Sequence, residues 1–258
     1  MRKTVLFISL FIYMASFGQE TEKLAVSITP SYGLEIPFSS FSDRGSLPPY
    51  IVGSSQELSV PYNIALQVDF KNNNSFALKY GSKGVSTGVR QKSISPNTLG
   101  KGGVSNSFDM TFFELVFSKT IIKEVTIKRK KHRDIKNLFD LNFAIGISYE
   151  KFKKYLFEPY RFHSGGSESD SFDYYISQNL LSNKGYGLTT GIELKFKRFG
   201  KNRATLGFFY HKGFNKRIET TWETSINNTE YPAFTSYTRG SSISIFLSIP
   251  IKIFSIKK

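Results

Sequence analysis

The sequence contains no cysteine. Disulfides, thiolate metal sites and cysteine nucleophiles are therefore excluded, and so is a lipoprotein anchor, which is attached through a cysteine. Histidine is almost as scarce. His132, His163 and His211 are the only three, and no two stand at metal-ligand spacing, so neither a metal site nor a cofactor is expected. Long apolar runs are missing as well. Mean hydropathy is −0.24 although 40% of residues are hydrophobic and 16% aromatic, so the apolar side chains must be interleaved with polar ones. After residue 18 no run approaches the ~20 apolar residues of a spanning helix, which excludes a helical membrane fold. Gly100-Lys101-Gly102-Gly103 lacks the spacing and the following Ser or Thr of a phosphate loop.

The N-terminus has the layout of a secretory signal peptide. Arg2 and Lys3 form a basic start, Val5 to Met14 is apolar except for Ser9, and Ser16-Phe17-Gly18 places small residues for cleavage before Gln19. Residues 1–18 are thus expected to be a cleaved signal, and 19–258 the mature domain. Cleavage removes two of the 35 basic residues and none of the 20 acidic ones, leaving a charge of +13. That charge alone would suit nucleic acid, but export argues against such a partner.

What is present is alternation of period two, the signature of strands with one apolar face. Eight segments carry it: Leu24 to Ile36, Tyr62 to Phe70, Ser75 to Gly81, Phe108 to Lys119, Phe139 to Glu150, Tyr186 to Phe196, Thr205 to His211 and Ser242 to Ile253. In the fourth, Phe108, Met110 and Phe112 share one parity and Phe113, Leu115 and Phe117 the other, which predicts a bulge near Phe112-Phe113. In the seventh, Phe209 breaks the pattern. The second face is mostly Gly, Ala, Ser, Thr and Asn, which suits a narrow barrel interior better than the water-facing side of a sandwich.

The links run 37–60, 71–74, 83–107, 120–136, 151–184, 197–203 and 215–239, alternately long and short. Long external loops, short periplasmic turns and both termini in the periplasm are the outer-membrane pattern. The expected fold is all-β: an eight-stranded antiparallel up-and-down transmembrane β-barrel, preceded by a cleaved signal peptide. The expected location is the bacterial outer membrane, with a soluble β-sandwich as the competing fold.

The chain resembles the outer-membrane β-barrel proteins of Bacteroidota, including the PorT-like small barrels. The features that carry this are the short signal ending Ser16-Phe17-Gly18, the hairpin rhythm and the aromatic, Glu-bearing strand Phe112-Phe113-Glu114-Leu115-Val116-Phe117-Ser118-Lys119. The chain departs from that pattern at its end, where Ser255-Ile256-Lys257-Lys258 follows Phe254.

Candidate chemistry falls in three places. The inward parity carries Glu35, Asp69, Lys79, Glu150, Glu193, Lys195 and Lys252, with Glu114 joining if the bulge is real. In so confined a space they should form an ion network, read as a structural plug in preference to a selectivity filter. His163, beside Ser164 with Asp170 and Asp173 nearby, and His211 are weak catalytic candidates. The basic run Lys128, Arg129, Lys130, Lys131 and Arg133, with His132, lies in a link expected on the periplasmic side. It is read as a solvated tip or as a contact for anionic lipid or an acidic partner. The long links also hold Tyr155, Phe157, Tyr160, Phe162, Phe172, Tyr174, Tyr175, Trp222, Tyr231, Phe234 and Tyr237, for an interfacial girdle or for recognition.

The expected role is non-enzymatic: a small non-porin envelope component whose external loops contact a ligand or partner. The alternatives are an accessory factor of a secretion or assembly machine acting through the basic turn, and an outer-membrane lipid-modifying enzyme. Expected partners are outer-membrane lipid, the outer-membrane assembly machinery and a periplasmic or extracellular protein.

Overall fold

The computed structural model describes residues 24–42, 47–48, 50–55, 57–70, 73–91, 102–125, 139–152, 158–164, 172–198, 201–226 and 228–256. Residues 1–18, expected to be a signal, and the basic run 128–133 lie outside them. The described residues form thirteen strands and no helix. These are β1 (Leu24–Phe41), β2 (Ile51–Gly53), β3 (Tyr62–Asp69), β4 (Asn74–Gln91), β5 (Gly102–Val125), β6 (Phe139–Phe152), β7 (Tyr160–Ser164), β8 (Phe172–Leu180), β9 (Lys184–Arg198), β10 (Lys201–Gly213), β11 (Ile218–Ile226), β12 (Thr229–Ser248) and β13 (Ile251–Ile256).

Eight of them, β1, β3, β4, β5, β6, β9, β10 and β12, pair antiparallel with their neighbours in chain order, and β12 closes back on β1. The ring is inside out by the standard of a water-soluble protein. Ser31, Asn63, Ser118, Asn142, Thr189 and Ser244 are buried within it, while Leu34, Ile64, Leu78, Ile145, Ile192 and Leu247 are exposed on its outer wall. Alternation along each strand produces both faces at once. The hairpin between β3 and β4 holds Asn73 at φ 69°, a left-handed value that Asn tolerates.

Above this zone the same strands run on, and the chemistry of their inward face reverses. Val85, Met110, Phe152 and Ile218 form one apolar cluster, and Ile51, Val89, Val104, Tyr174, Ile176, Trp222, Ile226 and Phe234 a second. Here β11 pairs with both β12 and β8, and β7 pairs with β8, giving a side sheet with a conventional core. Most described residues of the links 83–107, 151–184 and 215–239 are therefore strand, whereas 37–60 contributes the end of β1 and the short β2. Tyr174, Trp222 and Phe234, expected on a girdle or a recognition surface, are core residues.

Three further expectations are corrected. The pairing of β5 with β4 and β6 runs without a shift through Phe112 and Phe113, so there is no bulge there; the shifts in the β5–β6 pairing fall between Thr120 and Val125. The parity conflict arose because Met110 and Phe112 point inward, as does Phe209. The last strand is two, since Pro250 has no N–H to donate and pairing breaks at Ile249-Pro250. Past that break Lys252 is exposed on β13 rather than enclosed with the other charges.

Candidate functional site

The interior charges gather around one carboxylate. Glu150, fully buried on β6, places Oε1 2.8 Å from Lys83 Nζ and 2.7 Å from His211 Nε2, and Oε2 2.6 Å from Arg217 Nη2. Lys83 also donates to the Gly240 carbonyl at 3.3 Å. His211 Nδ1 lies 2.9 Å from Thr189 Oγ1, and the Thr189 hydroxyl donates to Glu114. Glu114 in turn pairs with Lys79 at 3.4 Å. The chain of contacts Lys79–Glu114–Thr189–His211–Glu150 thus crosses the ring from β4 through β5, β9 and β10 to β6. Charge-assisted bonds of this length are the strong class, and they set against the cost of enclosing the ions a direct counter-charge for each of Lys83 and Arg217.

Two glycines make the space for it. A Cβ on Gly185 would stand 2.2 Å from Arg217 Cζ, and one on Gly187 2.3 Å from His211 Cε1. No alanine fits at either position without moving the network.

Nearer the other end, Lys195 bonds Asp69 at 3.2 Å and Ser75 at 3.2 Å, and Gln67 donates to Asp69 at 2.8 Å. Glu193 lines the cavity beside them. Glu35 takes a hydrogen bond from Ser59 at 3.3 Å. The inward residues named from the sequence thus fall into two groups, with Glu35 at the edge of the upper one and Lys252 in neither. Lys83 and Arg217 were missed. Lys83 continues the parity of Ser75, Ala77, Lys79 and Gly81 and could have been found by extending it. Arg217 lies between β10 and β11, where no alternation marks it.

Two small cavities remain inside the ring, about 40 Å³ around Glu114 and Glu150 and about 30 Å³ around Asn63 and Lys195. A water needs about 10–15 Å³ by this measure, so each holds a few waters at most. Phe209 and Phe246 line both cavities, and Lys79 Nζ sits 4.7 Å from the centre of the Phe209 ring. These two rings are the partition. Replacing both with alanine is expected to join the cavities, and the variant in a planar bilayer should show ion conductance well above that of the parent.

Of the histidines, His163 stands on β7 opposite Asp173 on β8, with Nδ1 2.7 Å from Asp173 Oδ1, and both side chains are more than half exposed. His211 is enclosed, with Nδ1 against Thr189 Oγ1 at 2.9 Å and Nε2 2.7 Å from the Glu150 carboxylate.

No protein-family model matches the chain, and no curated protein matches it. Among solved structures, the outer membrane protein OprG from Pseudomonas aeruginosa aligns with 92% of this chain and 99% of its own, at 11% identity and a TM-score of 0.38. The CymD monoaromatic hydrocarbon channel aligns with 92% of this chain and 91% of its own, at 9% identity and a TM-score of 0.15.

Proposed function

We propose that the ring is a transmembrane β-barrel of the bacterial outer membrane, closed to solutes by its own side chains, and that the protein works through the sheet above the ring as a non-enzymatic binding component of the envelope. The observation that carries this is the inside-out wall. Water would penalise exposed Leu34, Ile64, Ile145, Ile192 and Leu247 all round a closed ring, whereas lipid requires them. Aromatics bound the belt. Tyr80–Phe113 at 4.7 Å and Tyr149–Tyr186 at 5.7 Å lie in one row near one edge, and Phe139–Phe196 at 6.0 Å lies near the other. From Phe139 to Tyr149 along β6 is ten residue steps, about 33 Å of strand. At a tilt of about 40° that spans about 25 Å, the height of an outer-membrane apolar band.

Lipid and the outer-membrane assembly machinery are partners under this reading, and membership of the Bacteroidota barrel group belongs to it on the strength of the Phe112–Lys119 strand. His211 is read as a member of the network, enclosed between Thr189 and the Glu150 carboxylate.

Expression of the full precursor in a bacterium with two membranes, followed by fractionation, tests the reading. The mature chain should begin at Gln19, resist extraction without detergent and run faster on gels unheated than boiled. Recovery in the aqueous fraction without detergent would overturn it. Lipid exposure also predicts a local cost. Ile145→Lys near mid-belt should lower folding free energy into bilayers by about 2–4 kcal/mol, whereas Thr221→Lys on β11 should stay within about 0.5 kcal/mol. Reversible unfolding in urea from liposomes measures both.

A further inference from the structure

The side sheet carries a cleft of about 670 Å³, in the range of small-molecule sites, at its β7–β8–β11–β12 face. Register explains its lining. Arg161, Tyr175 and Glu223 stand in one row across β7, β8 and β11, and Asp173, Ser225 and Glu230 in the next across β8, β11 and β12. The β11–β12 pairing slips between Trp222 and Thr224, and such bulges re-aim side chains beside binding sites. The rings are held in place: the Arg161 guanidinium lies 5.9 Å from the Tyr175 centroid, and Tyr231 meets Tyr50 edge-on at 6.3 Å. His163 likewise fixes Asp173.

We infer that this cleft binds a neutral saccharide. The inference rests on the proposal that the sheet above the ring is the working surface. Its chemistry excludes the simpler ligands. An anion would face Asp173, Glu223 and Glu230, and a bare cation would face Arg161 at the end of the row. A polyhydroxylated ring can use both, giving hydroxyl protons to the carboxylates and accepting from the guanidinium. Its C–H face packs on the exposed Tyr175 ring. Among the described residues neither Glu223 nor Glu230 has an ion-pair partner.

The test uses the full mature chain folded in a zwitterionic, sugar-free detergent and titrated calorimetrically. The probes are cellohexaose, xylohexaose, maltohexaose and mannohexaose, with oligogalacturonate and tetralysine as charged controls. At least one neutral oligosaccharide should bind saturably. Tyr175→Ala and Glu223→Gln, both at exposed positions, should each weaken it by at least about tenfold. Absence of binding by all four neutral probes, preference for either charged control, or variants that bind like the parent would each overturn the inference. Heat-modifiable mobility is recorded on every sample. Folded barrels that fail to bind reject the saccharide alone, whereas a chain that needs no detergent rejects the membrane reading as well.

Discussion

Glu150→Ala should lower the folding free energy by about 3–5 kcal/mol, the cost of breaking a buried ion pair from one side. The side chain removed is fully buried, and it is the common acceptor for Lys83, His211 and Arg217. Without it Arg217, also fully buried, has lost its paired carboxylate, and Lys83, 7% exposed, is left to the weaker field of Glu114, which already pairs with Lys79. Glu150→Gln keeps the shape and loses the charge, so an intermediate loss is expected. The cause can be separated from the loss of volume. Arg217 lies 6.0 Å from the Phe152 ring, beside the apolar cluster of Val85, Met110 and Ile218. Adding Arg217→Met to a Glu150→Leu chain replaces the pair by apolar groups of similar size, an exchange that is often neutral or better. Urea unfolding in detergent micelles should show the double variant recovering the share of the loss that comes from Arg217, with the Lys83 charge still uncompensated. A double variant as unstable as Glu150→Ala would show that the stranded charge is not the cause.

The ring was legible because one rule governs it. In Phe139 to Glu150 every second residue was assigned outward, and Phe143, Ile145 and Ile147 are exposed while Asn142, Ser148 and Glu150 are buried. The rule failed where a strand has neighbours on both faces. Gly84 to Val89 of β4 are all buried, because the segment around Ser55 and Ser59 lies over the outer side; a Cβ on Gly84 would reach within 2.5 Å of Ser59 Cβ. Alternation vanishes there, and the upper half of β4 reads as a loop. It failed differently at Phe112 and Phe209. Aromatics were taken to face outward, yet these two fill the interior beside Lys83 and Lys79. Arg217 was out of reach for another reason: its partner Glu150 is 67 residues away, and only closure of the ring brings them together.

The reversal of interior chemistry along one set of strands leads to the last expectation, that the two halves of the molecule have separable stabilities. Trp222 tests it. The side chain is fully buried, stacked on Phe234 with centroids 6.3 Å apart and planes at 11°, and meets Tyr174 edge-on at 6.3 Å. Its Nε1–H donates to Ser236 Oγ at 2.9 Å. Trp222→Ala removes the largest piece of that core and strands the Ser236 hydroxyl, a loss of about 3–5 kcal/mol. The ring shares little of it, since its wall is held by backbone pairing and, under the proposed function, by lipid. Protease added outside intact cells should therefore cut the variant within 158–180 or 215–235 while leaving β1, β3, β6, β9 and β10 protected. The parent should resist under the same conditions. A variant whose ring is digested along with the side sheet would show that the two halves unfold as one unit.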